Sequence, residues 1–198
     1  MTLFLPAELA AWPSNGHERA SGRNVPVVNN LNVALLFTRV YFGLAFAYHG
    51  YNKCFGPSGL KGTAGWFASL GLKWPHWQAR IAATTEISCG LMLAVGLATP
   101  FAASGMIATM IVAIVLTHWK VGFFIFKKGE GWEYCASIAV TALAIATIGS
   151  GKYSIDHLLH KDDHLLHKDV QNWTGLAIAL VLGIGGAVLQ LTVSREKS

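Results

Sequence analysis

The chain has 198 residues, of which 53% are hydrophobic and 13% charged, and its formal net charge is +5. Soluble domains carry roughly 25% charged residues, so this composition excludes a lone soluble domain, and it is too hydrophobic for a disordered chain. A mean hydropathy of +0.45 points instead to a membrane, and the length allows one domain.

Residues 1–30 read as an extended tail. Met1–Trp12 has no positively charged leader region, and Pro13–Asn32 is polar and rich in asparagine. Five apolar runs follow, at Leu31–Tyr51, Arg80–Ala98, Pro100–Thr117, Tyr134–Ser150 and Trp173–Val193. Each is near the roughly 20 helical residues that a hydrocarbon core requires. Backbone at membrane depth must satisfy its own hydrogen bonds, and no run alternates as a barrel strand does, so all five are predicted to be helices. The fold class is therefore all-α, a polytopic membrane bundle. Thr99 alone separates the second and third runs, which predicts a tight hairpin with Pro100 opening its second arm. Gly43 and Ala47, Gly90 and Ala94, and Gly183 and Ala187 stand four apart, a spacing that lets helices approach closely. Gly65–Leu72 is too short to span. With Trp74 and Trp77 it reads as an interfacial helix that anchors the chain or lines a lateral path for a lipid-soluble molecule.

Five spans put the termini on opposite sides. The side holding the N-tail and the fourth loop carries five basic residues, Arg19, Arg23, Lys152, Lys161 and Lys168. The other side, with the first loop, third loop and C-tail, carries nine: Lys53, Lys61, Lys73, Arg80, Lys120, Lys127, Lys128, Arg195 and Lys197. The excess of Lys and Arg predicts an inner-membrane protein with its N-terminus outside and its C-terminus cytoplasmic. The same bias accounts for the net charge without nucleic acid. Cys54, Cys89 and Cys135 have no metal-site or C-x-x-C spacing and read as separate thiols. A Cys54–Cys135 disulfide would require their face to be the outer one.

Ionisable groups within a span are costly and usually face the bundle interior. Arg39 and Glu86 are such groups, each on a face rich in small residues, either as a structural ion pair or as part of a proton or substrate site. Their depths differ by roughly 10 Å at 1.5 Å per residue, which a direct pair, a water or a third residue has to bridge. Hairpin topology gathers His49, Glu86, His118 and Glu133 at one end of the bundle, the candidate catalytic group. Arg39, Lys53, Tyr134 and Asp156 are candidate structural or substrate-orienting residues. A His beside a carboxylate relays protons near neutral pH.

Asp156–Asp162 reads Asp-His-Leu-Leu-His-Lys-Asp, and Asp163–Asp169 repeats it. As a helix over 157–170, the repeat sets its leucines on one face, suited to a membrane surface or a partner. His157, His160, His164 and His167 gather on another, and helical His pairs at such spacings also hold divalent metals.

These features, taken in order, resemble the DoxX family of small membrane proteins. The resemblance runs through Arg39, Gly43, Phe46, His49-Gly50 and Lys53, then Gly59-Leu60 and Phe67–Leu72. It continues with Glu86 and Gly90, Gly96–Thr99, Gly122–Phe124, Gly131–Tyr134, and Gly149 through Tyr153-Ser154 to Asp156. It implies a four-helix core over 31–156, with the fifth helix and C-tail (171–198) and the tail 1–30 as additions. Some members of that family are subunits of quinone-reducing or thiol-handling redox systems. The expectation is thus a membrane redox subunit without a cofactor of its own, using quinone, with Glu86 as proton carrier and His49 and His118 bonding the carbonyl oxygens. The alternative is a non-catalytic subunit that docks partner proteins through 1–30, 157–170 and 171–193. A small-molecule or proton transporter ranks third, since the chain shows no inverted repeat.

Overall fold

The computed structural model describes residues 27–159 and 173–195. It contains α1 (Val27–Phe55), α2 (Gly59–Ser69), α3 (Pro75–Val95), α4 (Thr99–Ala113), a π-helical segment (Ile114–His118), α5 (Glu133–Ile148), α6 (Ile155–Leu159) and α7 (Gly175–Ser194). Asn30–Phe55, Thr99–His118 and Gly175–Ser194 are long and apolar enough to cross a membrane. The other two predicted spans are helical but weaker on that measure. α5 is apolar with 16 residues, and the 21 residues of α3 include Arg80 and Glu86. The architecture is an all-α membrane bundle. The tail differs from expectation at its end, because 27–30 already belong to α1. An Asn32 side-chain oxygen accepts a bond from the Lys152 N–H at 2.7 Å and ties the second turn of α1 to the loop before α6. Within 157–170, α6 ends at Leu159, and residues 160–170, with His160, His164 and His167, lie outside the described residues.

The closest helix contact is between α1 and α3. A Cβ on Gly43 would stand 2.5 Å from the Gly90 carbonyl oxygen, and one on Gly90 would stand 2.5 Å from that of Gly43. Two of the small-residue pairs in the sequence therefore pack on one another, as such pairs do in membranes. Gly50 meets Ala83 and Glu86 in the same antiparallel register. α4 is central and packs against α3, α5 and α7. Ala179, Gly183 and Ala187 of α7 are buried, and Gly183 sits on Ile107 and Ser104 of α4. Phe46, Leu93, Met106, Cys135 and Ile145 fill the core between these helices. Cys54, Cys89 and Cys135 are free thiols.

The α3–α4 hairpin closes with a glycine. Gly96 has φ +68°, and its N–H and that of Leu97 bond back to the Leu93 and Met92 carbonyls at 3.1 and 2.8 Å, the usual αL ending of a helix. Overpacking costs about 1–3 kcal/mol and sometimes more. Gly90→Leu should therefore lower the thermal midpoint in detergent, while Gly185→Leu, with open space around it, should leave it unchanged.

Candidate functional site

A cavity of about 290 Å³ opens among α1, α2, α3, α4, α5 and α7. Its polar lining comprises His49, Lys53, Glu86, His118 and Tyr134, with Gln78 and Gln190, and its apolar lining includes Phe46, Trp66, Phe67 and Leu70. Trp66, Phe67 and Leu70 belong to the predicted interfacial segment or its edge, so that segment borders the cavity.

Lys53 Nζ lies 2.5 Å from Glu86 Oε2. Glu86 is 4% exposed. The pair forms because side chains lean toward the N-terminus of their own helix. α1 and α3 are antiparallel, so Lys53 leans inward while Glu86 leans outward, and the two meet. Glu86 Oε1 has no hydrogen-bond partner among the described residues, and neither has the His49 ring. The ion pair thus leaves one carboxylate oxygen and one imidazole open to a ligand.

His118 is held by a different device. The chain passes through a π turn, in which Trp119 N–H bonds to the Ile114 carbonyl at 2.8 Å. Such insertions recur at functional sites. His118 Nδ1 lies 2.6 Å from the Glu130 carbonyl oxygen. A carbonyl only accepts, so Nδ1 carries the proton and Nε2 is an acceptor. Tyr134 O–H donates to that Nε2 at 3.3 Å. Glu130 takes φ +58° to present its carbonyl, and Gly131 leaves room where a Cβ would collide with the Phe123 and Phe124 carbonyls.

Glu133 does not join this group. Its Oε2 accepts from the Ile125 N–H at 3.1 Å, and its own N–H bonds to the Phe123 carbonyl at 2.9 Å. It orders the α4–α5 loop. Arg39 and Asp156 lie at the opposite end, and the Arg39–Glu86 pair does not form. In the α1–α3 register Arg39 stands level with Ala94, about 12 Å along α3 from Glu86, and its side chain leans away. Fully buried, it donates to the Tyr153 carbonyl at 2.6 Å and to the Ala94 and Leu93 carbonyls at 3.4 and 3.5 Å. Asp156 accepts from the Ala98 and Thr99 N–H groups at 2.7 and 3.1 Å and from Thr99 Oγ1 at 2.8 Å. A cation therefore sits at the C-terminus of α3 and an anion at the N-terminus of α4, each opposite the favourable end of the helix dipole. His157 follows Asp156 in α6, where its N–H bonds to Ser154 Oγ at 3.1 Å. No group of three or more metal-type ligands occurs among the described residues.

Sequence reasoning missed three features. Lys53 was already on the Arg39 face at helical spacing, so its meeting with Glu86 was within reach. The π turn has no sequence signal. Gln190, whose side-chain amide donates to Gln78 Oε1, lay in a run read only as a docking span. Removing one partner of a buried pair costs about 3–5 kcal/mol. Lys53→Met should therefore destabilise the detergent-solubilised protein strongly, and Lys53→Met with Glu86→Gln should recover most of that loss in a thermal unfolding series.

Residues 34–119 match the DoxX family model. A protein of Bacillus subtilis (strain 168) named "Putative oxidoreductase CatD" is 29% identical over 132 residues, covering 67% of this chain and 91% of that protein. A Mycobacterium tuberculosis protein named "Uncharacterized membrane protein Rv3486" is 28% identical over 136 residues, covering 65% of this chain and 82% of that one. No solved structure matches the chain. The matched segment holds Arg39, His49, Lys53, Glu86 and His118, while Tyr134, Asp156 and α7 lie beyond it. The chain is thus an all-helical membrane protein that matches the DoxX family over residues 34–119.

Proposed function

We propose that this protein is the membrane-embedded quinone site of a redox system whose electrons come from a partner protein. The observation that carries this reading is the buried Glu86 carboxylate, with Oε2 tied to Lys53 and Oε1 free toward an apolar cavity. Ligand pockets run from about 300 to 1,000 Å³. A cavity of about 290 Å³ in all is too small for a nucleotide cofactor and takes only a ligand with a compact head group. The lining is mostly apolar with a few converging polar groups, as lipid-soluble ligands require.

A quinone taken to quinol consumes two electrons, supplied by a reduced redox protein docked on the bundle, and two protons. Residues of this chain would hold and move those protons. Glu86 Oε1 exchanges a proton at the cavity wall, and His49, near the exposed end of α1, passes protons between it and water. Lys53 keeps the carboxylate anchored and donates toward a ligand oxygen through its remaining N–H groups. Tyr134, backed by the Nδ1-protonated His118, supports the opposite side of the ring. The relative named as an oxidoreductase is consistent with a redox setting. The inner membrane, with the N-terminus outside, is the location this reading adopts from the Lys and Arg bias.

A second reading, a non-catalytic subunit docking partners through the tail, the duplicated segment and α7, draws on the position of α7 outside the DoxX match. The two separate in one experiment. The protein is purified from native membranes in mild detergent, bound proteins are identified, and quinone is extracted and counted. The quinone site predicts about one quinone per chain with a redox partner. Glu86→Gln should lose both the quinone and quinol formation while remaining inserted. A stable complex without quinone, with activity unchanged by Glu86→Gln, makes the chain a docking subunit instead.

A further inference from the structure

The cavity does not end at the polar cluster. It continues over α4 and into the π turn, whose Gly105, Ala108, Val112 and Leu116 line it at spacings of three, four and four, a stretch about 16 Å long at 1.5 Å per residue. α3 walls one side with Ala82 and α7 the other with Gly186. α7 is seated on α4 through Gly183 and Ala187, and Gly186 and Gln190 lie about 60° round from that line, which turns them toward the channel. Small side chains on both walls keep it open. A Cβ on Gly186 would meet only Ala108, at 3.6 Å.

α3 and α7 are tied together at one end. There the Gln190 amide bonds to Gln78, the Lys73 N–H bonds to the Ser194 carbonyl at 2.7 Å, and Leu72 pairs with Arg195 as an isolated bridge. Hydrogen bonds between α7 and the α2–α3 segment are confined to this end among the described residues. The polar end is thus latched by paired amides, and the apolar stretch beyond it lies between helices that share α4 as a floor.

We infer that the channel walled by α3 and α7 over α4 holds the hydrocarbon tail of the ligand whose head group sits at Lys53 and Glu86. This rests on the quinone-site reading and extends it. The ligand is an amphiphile with a chain, not a free aromatic ring, and α7, outside the DoxX match, is part of its binding site. Two observations support it independently of the small residues. The channel is continuous with the cavity that bears the polar cluster, and the buried Glu86 leaves an unpartnered oxygen there for the head group. The lining of the channel carries no charge, its Thr109 and Thr117 hydroxyls are bonded to carbonyls of their own helix and its Gln190 to Gln78, so it offers a head group little and a chain apolar burial.

The test uses the full chain in detergent micelles with two probes, 2,3-dimethoxy-5-methyl-1,4-benzoquinone and the same ring carrying a decyl chain, read by quenching of tryptophan fluorescence. Gly186→Leu and Ala82→Leu narrow the channel from opposite walls. Each should weaken the decyl quinone at least about tenfold, since several methylenes lose their burial. Each should leave the tailless quinone within about twofold, and Gly185→Leu should change neither. Equal losses for both probes, or no loss, overturn the inference. A diazirine-bearing fatty alcohol, crosslinked and mapped by mass spectrometry, tests the channel without any quinone. It should label the stretch between Gly105 and Leu116 and be displaced by the decyl quinone. Labelling that the decyl quinone does not displace, in protein that binds it, assigns the channel to a bilayer acyl chain and overturns the inference. If neither quinone binds while Gly186→Leu abolishes the labelling, the quinone head falls and the tail channel stands.

Discussion

The contact of Gly43 with Gly90 sets the rest of the structure. Without side chains at that crossing, α1 and α3 approach backbone to backbone, and the antiparallel register is fixed at every level above and below it. That register decides which charge meets which partner. Toward one end it brings Lys53 to Glu86, because both side chains lean into the gap between them. Toward the other it brings Arg39 to the last carbonyls of α3, where its charge faces the negative end of a helix dipole. Charges that would each be costly in hydrocarbon are thereby partnered separately, although Arg39 Nε is buried without a hydrogen bond among the described residues.

The two ends then serve different purposes. The Arg39 and Asp156 end is closed. Its cation holds carbonyls from α3 and from the loop before α6, and its anion caps α4, so it joins the hairpin to the last part of the DoxX-like core. The Lys53 and Glu86 end is open. Among the described residues its carboxylate is half-satisfied and its His49 ring unpartnered, and the cavity beside it is bounded by aromatic side chains from α2. Buried polar groups that keep a free valence are rare in folded proteins, and where they occur they ask for an explanation in terms of a ligand or a role.

Much of this was legible in the chain itself. Hydropathy marked the helices, and the small-residue pairs marked faces of close approach without saying which helices would meet on them. Hairpin topology brought His49, Glu86 and His118 to one end. What failed was reach and rotation, which one-dimensional spacing does not carry. Arg39 and Glu86 share the interior, but the lean of helical side chains sends them apart. Glu133 is adjacent to Tyr134 in sequence, yet the first turn of α5 points it into the preceding loop. Gln190 is a single polar residue in an apolar run, and its partner Gln78 is 112 positions away.

The π turn at Ile114–His118 makes the geometry of the polar cluster depend on counting as well as on chemistry. One residue more than an α-helix needs has been accommodated in the last turn of this span, and every side chain after it is rotated accordingly. Regularising the turn would swing the imidazole by about 100°, leaving the same histidine in the chain facing a different neighbour. The composition of the site is therefore separable from its assembly. Two chains of this kind with identical polar residues, differing by one residue of spacing here, would present different surfaces to a ligand.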